Sequence, residues 1–311
     1  MTLEHLALSR AAADRAAHHR TDEAWLDKAW SDDATRVLAV SKGRVLVENV
    51  SDGASETVRL HLVTPAKAPA GERMFLGEHE GTAYFAVRAE RLVAPLGDPG
   101  DLTEAGLREV GTLLDDLETG LLVDAVALSN WHDTHTHCPR CGAPTVSTAG
   151  GHVRRCPDDG SEHYPRTDPA VIMTVVDADD RLLLGHQAVW PANRFSTLAG
   201  FVEPGESLEQ AVAREVLEES GIVVSSAEYL GSQPWPFPAS LMLGFCARAS
   251  TTEVVTDDEE ISEARWFTRA QLAEAVRTGE VLLPPAVSIA RRLIEHWYGD
   301  PLDDRGAAPW R

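Results

Sequence analysis

The sequence predicts an α+β protein made of three consecutive modules. Strand-like segments fill most of the first 130 residues, and a cluster of cysteines and histidines follows at residues 131–167. Strands then alternate with amphipathic helices up to residue 298. We therefore divide the chain into an N-terminal α+β domain at residues 1–130, a small cysteine module at 131–167, a larger domain at 168–298 and a tail at 299–311, which is expected to be mobile beyond Asp300.

The N-terminal domain is expected to be mainly strand before one long helix. Lys42-Gly43 separates two of its apolar segments, as in a hairpin turn, and Gly81 separates two others. A helical stretch is predicted from Leu102 to Trp131, after a Pro/Gly-rich connection. The strand-like segments are TRVLAV, RVLVENV, TVRLHLV, RMFLG and TAYFAVRA. No catalytic motif occurs among them, which favours a role in packing or dimerisation.

Composition and charge narrow the possible functions. The chain has 311 residues, enough for two or three domains, and 43% of them are hydrophobic. It contains no apolar run of about 18 residues, and its N-terminus lacks the pattern of a secretory signal, so a cytoplasmic location is expected. The net charge of −21 disfavours binding to nucleic acid in general, but it still allows a pocket for one nucleotide or one RNA 5′ end.

Three of the four cysteines form a pattern typical of a metal site. Cys138-x2-Cys141-x14-Cys156 resembles three quarters of a zinc ribbon, so a structural zinc ion is expected. The position three residues after Cys156, where a fourth cysteine is expected, is Asp159. Asp159 can bind zinc, and His163, His152 and His137 are near enough in sequence to replace it. The alternative is a ribbon that has lost its metal and kept its shape.

Other histidines, the fourth cysteine and several arginines do not fit the zinc pattern and are interpreted separately. The segment HDTHTH, with His132, His135 and His137, is interpreted as a polar loop. Cys246 lies in an apolar strand and is interpreted as a core thiol. Four arginines give the cysteine module a local positive charge, which leaves open a nucleic-acid-binding ribbon; they are Arg140, Arg154, Arg155 and Arg166.

The most informative segment is an acidic helix before Ile222. Ser207 and Gln210 form a capping-box pattern, and Gly221 is a typical C-terminal stop. At about 100° per residue, Glu215 and Glu219 fall on the apolar face with Leu208, Ala211 and Val212, and Glu218 lies at its edge. Several carboxylates on an inward-facing surface indicate a hard divalent cation, Mg²⁺ or Mn²⁺, because unpaired buried charges are unfavourable. Arg214 can pair with Glu218, four residues further on.

A second distinctive segment, SQPWPFPAS, occupies Ser232 to Ser240. Its three prolines predict a stiff, extended loop that presents Trp235 and Phe237. Such rings can stack on a planar base, with Gln233 and Ser240 bonding to its edge. The alternative is a loop of proline and aromatic residues that serves only in packing.

Two motifs carry a resemblance to a known family. Gly200, Glu206, Arg214, Glu215, Glu218, Glu219 and Gly221 occur in the order of the Nudix box, G-x5-E-x7-R-E-U-x-E-E-x-G-U with U aliphatic. The segment from Ser232 resembles the signature of the NADH pyrophosphatase subfamily, which also removes NAD caps from RNA. The resemblance covers about residues 131–298. It implies a Nudix α/β/α sandwich at the C-terminus, a diverged Nudix-like domain before residue 130, and a homodimer.

The resemblance also implies roles for individual residues. Glu215 and Glu219 match the principal Mg²⁺ ligands, together with the carbonyl group of Ala199. Glu218 matches the group that positions or deprotonates the attacking water, or that binds a further metal. Glu260 matches an additional metal-binding or basic carboxylate, although it can also be an ordinary exposed acid. The residues that resemble the nucleotide pocket are Tyr164, Phe201, Gln233, Pro234, Trp235, Pro236, Phe237, Pro238, Ala239, Ser240 and Ala290.

The reaction implied by the resemblance is hydrolysis of a dinucleotide pyrophosphate with Mg²⁺ or Mn²⁺. NADH would give NMNH and AMP, and NAD-capped RNA would give NMN and 5′-monophosphate RNA. Two alternatives remain open at this stage: hydrolysis of another dinucleotide, such as ADP-ribose, CoA or a diadenosine polyphosphate, and a nucleotide sensor without catalysis. The complete box favours an enzyme over a sensor.

Overall fold

The computed structural model describes residues 3–51, 56–94, 102–256 and 260–302. The chain divides into two compact units. The N-terminal unit comprises residues 10–167 with 236–239, and the C-terminal unit comprises the described residues of 1–9, 168–235 and 240–311. Most of the predicted Pro/Gly-rich connection (96–101), part of the acidic loop (257–259) and the tail from 303 onwards, which was predicted to be mobile, lie outside the described residues.

The N-terminal unit contains ten short strands and three helices among its described residues. Its strands are β1 (Arg36–Val40), β2 (Arg44–Ser51), β3 (Glu56–Leu60), β4 (Leu62–Val63), β5 (Glu72–His79), β6 (Thr82–Arg88), β7 (Leu102–Gly106), β8 (Val146–Thr148), β9 (Val153–Arg155) and β10 (Glu162–His163). Its helices are α1 (Glu23–Trp30), α2 (Leu107–Val110) and α3 (Asp116–Thr134). The strands form three sheets with the orders β4-β1-β6-β5, β3-β2-β7 and β10-β9-β8.

The predicted turn at Lys42-Gly43 is present, but the two strands beside it do not pair beyond the turn. β1 pairs with β4 and, in parallel, with β6, whereas β2 pairs with β3 and β7. Only Ser41 and Arg44 exchange backbone hydrogen bonds at the turn, of 3.0 and 2.9 Å. Lys42 and Gly43 have φ values of 50° and 71°, so the chain turns sharply there and passes from one sheet to the other. The second predicted hairpin, between β5 and β6, is confirmed.

The helix predicted from Leu102 to Trp131 is only partly confirmed. Its first five residues form β7, because β2 offers them an antiparallel partner. The long helix α3 starts after Asp115, whose carboxylate accepts a 2.8 Å hydrogen bond from the Glu118 backbone N–H. It continues through His132, which is fully buried, so the interpretation of that histidine as part of a polar loop is also wrong.

The C-terminal unit has one mixed sheet covered on both faces by helices. Its strands are β11 (Asp168–Val176), β12 (Leu182–Gln187), β13 (Leu198–Phe201), β14 (Val224–Trp235), β15 (Ser240–Ala249) and β16 (Ile261–Phe267). Its helices are α4 (Leu208–Ser220), α5 (Arg269–Thr278) and α6 (Ile289–Tyr298). The sheet order is β14-β15-β11-β12-β16, and β13 pairs with β11.

Alternating residues of β11 explain the layering of the C-terminal unit. Val171 and Met173 pack in the core that contains Val212 of α4, whereas Ile172 packs in the core that contains Leu293 of α6. Successive strand residues point to opposite faces, so the almost continuous apolar run of β11 is buried on both sides. The predicted α/β/α sandwich is therefore confirmed.

The first described residues of the chain belong to the C-terminal unit, although the predicted boundary at residue 130 places them in the N-terminal domain. Leu6 is buried in the α6-side core with Ile172 and Leu230. Leu8 is also buried.

None of the described helices is long and apolar enough to cross a membrane.

Two buried histidines in the N-terminal unit are held in their neutral form. His152 Nε2 donates a 2.7 Å hydrogen bond to the Phe75 carbonyl, and His132 Nε2 donates one of 2.8 Å to the Gly151 carbonyl. The Nδ1 atom of His132 accepts a 2.8 Å hydrogen bond from Arg154. Burial lowers the pKa of both rings, because it disfavours the charged form.

We expect the free energy of unfolding to fall as the pH drops from about 7.5 to about 5.5. The pKa of both histidines is lower in the folded protein than the ordinary value of about 6.5, so the unfolded chain takes up protons at a higher pH than the folded protein does. The limiting slope is about 1.4 kcal/mol per pH unit for each histidine. Glu118 opposes this trend. Burial raises its pKa to about 7, so it holds a proton in the folded state at a pH where the unfolded chain is ionised.

Denaturant titrations at several pH values measure this dependence. The slope of stability against pH is expected to be shallower for His152→Gln and steeper for Glu118→Gln than for the wild type. Equal slopes for the wild type and His152→Gln would contradict the account of the buried neutral ring.

Candidate functional site

Helix α4 begins and ends where the sequence predicts. Ser207 Oγ accepts a 3.3 Å hydrogen bond from the Gln210 backbone N–H, and Gln210 Oε1 accepts one of 2.9 Å from the Ser207 N–H. Gly221 ends the helix in the left-handed conformation, with φ of 71°. The capping box and the C-terminal glycine therefore fix which residues of α4 face the sheet.

The glutamates of α4 differ in their exposure. Glu219 is buried, at 4% exposure, and the side chain of Glu215 is 13% exposed. The side chain of Glu218 is 59% exposed. Glu215 and Glu219 therefore face inward and Glu218 lies at the edge of the apolar arc, as helical periodicity predicts. Two acidic side chains therefore lie against the core beside a third that reaches solvent.

Arg214 connects the glutamates of the box. Its guanidinium donates hydrogen bonds of 2.9 Å to Glu215 Oε1 and of 2.9 Å to Glu218 Oε2. It also binds both carboxylate oxygens of Glu206, at 2.8 and 3.0 Å, and the carbonyl oxygen of Phe201 at 2.9 Å. The predicted pairing of Arg214 with Glu218 is present, and Arg214 in addition joins the loop before α4 to the end of β13. Glu206 was named only as a motif position, and its contact with Arg214 shows why the motif needs it.

Gly200 allows the backbone of β13 to approach the Glu215 carboxylate. A Cβ atom at position 200 would lie 1.9 to 2.1 Å from the carboxylate atoms of Glu215, too close for any side chain. The carbonyl group of Ala199 immediately precedes this contact. Carboxylate and backbone carbonyl oxygens are the donors that Mg²⁺ and Mn²⁺ prefer. The donor set thus fits a hard divalent cation.

The electrostatics of the site also favour a cation. Burial raises the pKa of Glu215, and the negative charges of Glu218 and Glu260 raise it further, whereas the hydrogen bond from Arg214 lowers it. Glu260 is exposed and lies close enough to contribute to this effect. A cation beside Glu215 would favour its ionised form. Among the described residues, no three glutamates of this site have carboxylate oxygens that all lie within 4.8 Å of one another. The four ligand atoms of the cysteine module do lie this close together.

The SQPWPFPAS segment is mostly strand and not the predicted loop. Ser232 to Trp235 complete β14, Ser240 begins β15, and only residues 236–239 form the turn. β14 is an edge strand, so Pro234, which has no backbone N–H to donate, is tolerated there.

Two of the residues predicted to line the nucleotide pocket are engaged inside the C-terminal unit. Gln233 has no exposed surface. Its Oε1 atom accepts a 3.2 Å hydrogen bond from the Leu8 N–H, and its Nε2 atom donates one of 3.0 Å to the Val287 carbonyl. Ala290 is buried in the core beneath α6. The expectation that the Gln233 amide is directed at a base edge is therefore not met in this conformation.

The predicted aromatic residues present their rings differently. Phe201, in the C-terminal unit, is 58% exposed at the end of β13. Tyr164, in the N-terminal unit, is 64% exposed and donates a 2.9 Å hydrogen bond to Glu162. The guanidinium carbon of Arg108 lies 4.2 Å from the centre of the Phe237 ring, so that ring already stacks on a cation. Arg108 has no predicted role, because no local sequence pattern links it to position 237.

The cysteine module is built from two equivalent knuckles. In the first, the Gly142 N–H donates to the Cys138 carbonyl at 2.9 Å, and in the second the Gly160 N–H donates to the Cys156 carbonyl at 3.1 Å. Both glycines have positive φ, 78° and 73°. The knuckle sequences are CPRCG and CPDDG, so Asp159 occupies the position equivalent to Cys141.

The side chains of the two knuckles converge. The ligand atoms of Cys138, Cys141, Cys156 and Asp159 all lie within 4.8 Å of one another. A hydrogen bond from Ser161 and the backbone N–H groups of residues 140 and 141 lower the pKa of Cys138 to about 6. Burial and the neighbouring groups of Cys141 and Asp159 raise the pKa of Cys156 to about 11, so only the shift at Cys138 favours the thiolate form that binds zinc. Three thiolates and one carboxylate fit a tetrahedral zinc ion.

The structure excludes some of the alternative zinc ligands and one of the arginines considered for nucleic-acid binding. His152 is bonded to Phe75 in the core, and His137 contacts Thr136, whereas His163 lies near the knuckles and contacts Ser161 at 3.1 Å. Arg154 was considered as part of a nucleic-acid-binding surface, but it is buried. Its guanidinium donates to the side chain and backbone of Thr145, at 2.8 and 2.9 Å, and this removes it from such a surface.

Comparison with protein-family models finds three matches along the chain. Residues 34–131 match an NADH pyrophosphatase-like rudimentary NUDIX domain, residues 133–164 an NADH pyrophosphatase zinc ribbon domain, and residues 166–294 a NUDIX domain. The matches confirm the predicted order of modules. Together with the two donor sets, they also confirm the expected cofactors, a structural zinc ion and Mg²⁺ or Mn²⁺.

Curated relatives carry consistent names. The NAD-capped RNA hydrolase NudC of Mycobacterium bovis is 45% identical over 268 residues, which is 83% of each chain. The human NAD-capped RNA hydrolase NUDT12 is 43% identical over 196 residues, or 59% of this chain and 42% of that protein. A NUDIX hydrolase structure from Nitrosomonas europaea aligns with 53% of this chain and 94% of its own, at a TM-score of 0.41 and 24% identity.

Three observations agree on the family of this chain. They are the Nudix box whose carboxylates Arg214 binds, the cysteine knuckles, and a relative that matches 83% of the chain. The chain belongs to the Nudix hydrolase family, in the group that combines a Nudix domain with an NADH pyrophosphatase zinc ribbon and a rudimentary Nudix domain.

Proposed function

We propose that this protein hydrolyses the pyrophosphate bond of NAD(H), giving NMN(H) and AMP, and that it removes NAD caps from RNA 5′ ends. The observation that carries the proposal is the intact carboxylate set around Arg214, in a chain that is 45% identical to a protein named as an NAD-capped RNA hydrolase. We also propose that the protein acts as a homodimer, as the resemblance implies, and that it acts in the cytoplasm. The domain boundaries at residues 130, 167 and 298 remain part of this proposal.

In the proposed site, Glu215, Glu219 and the Ala199 carbonyl are the principal metal ligands, and Glu218 and Glu260 are further carboxylates within reach. The close approach of the Gly200 backbone to the Glu215 carboxylate supports this assignment, because Gly200 directly follows Ala199. When bound, Mg²⁺ or Mn²⁺ neutralises charge on the phosphates and makes water a better nucleophile. Arg214 fixes the carboxylates of Glu215 and Glu218 before substrate arrives.

Glu218 is the proposed base. It is the most exposed of the three box carboxylates near the metal position, so it can reach a water molecule while Arg214 limits its movement. The water oxygen bonds to one phosphorus, and its proton passes to Glu218. The bond from that phosphorus to the bridging oxygen breaks, and the mononucleotide that keeps the bridging oxygen leaves and takes up the proton.

The nucleotide is proposed to bind through exposed aromatic rings and the turn of the SQPWPFPAS segment. Phe201 and Tyr164 are exposed enough to stack on a base or a nicotinamide ring. Trp235, Phe237 and the residues between Pro234 and Ser240 form the remainder of the proposed binding set. Gln233 and Ala290 are buried, so we propose that they hold the binding residues in position and do not contact the nucleotide themselves.

The products test the proposed reaction. Incubation with NADH and Mg²⁺ is expected to yield AMP and NMNH in equal amounts, and NAD-capped RNA is expected to yield 5′-monophosphate RNA. Glu218→Gln should lower kcat by about 10²-fold or more, because it removes the proposed base. Chromatography of the products measures both effects.

Glu209→Gln is the matched control, since Glu209 is an exposed residue of the same helix. It should retain wild-type turnover. Faster hydrolysis of ADP-ribose or CoA than of NADH would favour the broader Nudix alternative, and nucleotide binding without product would favour a sensor. A fully active Glu218→Gln variant would contradict the proposed base.

A further prediction concerns the fourth zinc ligand, which we propose to be Asp159. Asp159→Cys should retain zinc longer against a chelator than the wild type, because thiolates suit zinc better than a single carboxylate. Asp159→Ala should release it faster. Zinc release to a chromogenic chelator measures these rates, and Asp158→Ala, at the exposed neighbouring position, is the control. Equal release from Asp159→Ala and the wild type would show that another group completes the site.

A further inference from the structure

The first described residues of the chain, Leu3 to Ser9, form a segment that packs on the C-terminal unit; we call it the N-terminal segment. Leu6 is 5% exposed and lies in the core cluster beneath α6. The other members of that cluster include Ile172, Leu230, Ile289, Ala290 and Leu293, with Ala199 packed at its edge. Ala199 and Ala290 are both residues assigned to the metal and nucleotide sites. One leucine of this segment therefore belongs to the core that supports two parts of the proposed site.

The N-terminal segment also lies along β14. The Leu3 N–H donates a 2.6 Å hydrogen bond to the Leu230 carbonyl, and Ser9 Oγ donates one of 2.7 Å to the Ser232 carbonyl. A Cβ atom on Gly231 would lie 3.4 Å from Leu6 Cδ1, so the leucine rests directly on the strand backbone. β14 is an edge strand, and these contacts occupy part of its outer side.

Gln233 joins three separate pieces of chain. Its amide accepts from the Leu8 N–H at 3.2 Å and donates to the Val287 carbonyl at 3.0 Å, while its backbone is part of β14. Val287 lies two residues before the start of α6, the helix that carries Ala290. Because Gln233 is fully buried, loss of either partner leaves a buried polar group without its hydrogen bond. The segment, the strand and the approach to α6 are thus held in one arrangement.

We propose that Leu6 and the N-terminal segment are positioning elements for nucleotide binding. They act through Gly231 and Gln233, which set the path of the strand that leads to Trp235, and through the core that sets the position of Ala290. The inference rests on the proposed function, because it assigns these residues to the site that binds NAD(H). The residues of the N-terminal segment lie before both family-model matches, the rudimentary NUDIX domain at 34–131 and the NUDIX domain at 166–294.

The test compares leucine truncations in two cores of the same unit. Leu6→Ala should raise KM for NADH about tenfold while kcat changes less than about threefold, because a displaced binding strand weakens binding more than it alters the metal-side carboxylates. The dissociation constant of NADH, measured by its fluorescence, should rise in parallel. Leu6→Val, a smaller truncation, should give an intermediate KM.

Leu272→Ala is the matched control, since Leu272 is fully buried in the other α6-side core. It should lower Tm without changing KM. A purely structural role for Leu6 would lower Tm and the fraction of active protein but leave KM and the dissociation constant unchanged, and that result would overturn the inference. Should Leu6→Ala not fold, Leu6→Val decides by the same criteria. A wild-type protein that neither binds nor hydrolyses NADH would remove the proposed function and this inference together, whereas an active wild type with unchanged variant constants would remove the inference alone.

Discussion

The hydrogen bonds of Arg214 are the interaction on which the rest of the site depends. Carboxylates that face a core are unfavourable unless a positive group or hydrogen-bond donors accompany them. Arg214 serves Glu206, Glu215 and Glu218 at once and also binds the carbonyl of Phe201. Its planar guanidinium, with five donors in a fixed arrangement, suits such a cluster better than a lysine would. One side chain therefore balances charge and joins helix α4, the loop before it and strand β13.

The fold brings these groups together through a close approach of β13 to α4. Gly200 is required because the Glu215 carboxylate occupies the space of a side chain at that position. β13 is held in place by pairing with β11, the strand buried on both faces of the sandwich. Packing of the core thus fixes the position of β13, the strand that carries Ala199 and Gly200, beside α4.

Features fixed by local sequence were predictable, and features fixed by distant partners were not. The ends and the inner face of α4 follow from a capping box, a terminal glycine and helical periodicity, all within 15 residues. The pairing of β1 and β2 with other strands depends on segments elsewhere in the chain, so the turn at Lys42-Gly43 was misleading. The burial of His132 depends in the same way on a distant partner, Arg154. Gln233 is bonded to Leu8, more than 200 residues away in sequence, and no local pattern reveals this contact.

A titration with Mn²⁺ tests most directly whether the carboxylates of α4 form a site for a divalent cation. The paramagnetic signal of free Mn²⁺ reports binding without any substrate or turnover. We expect the wild type and Glu209→Gln to bind Mn²⁺ with equal affinity, and Glu215→Gln to bind it at least about tenfold more weakly, because one direct charged ligand is lost. Equal Mn²⁺ affinity of the wild type and Glu215→Gln would contradict the account.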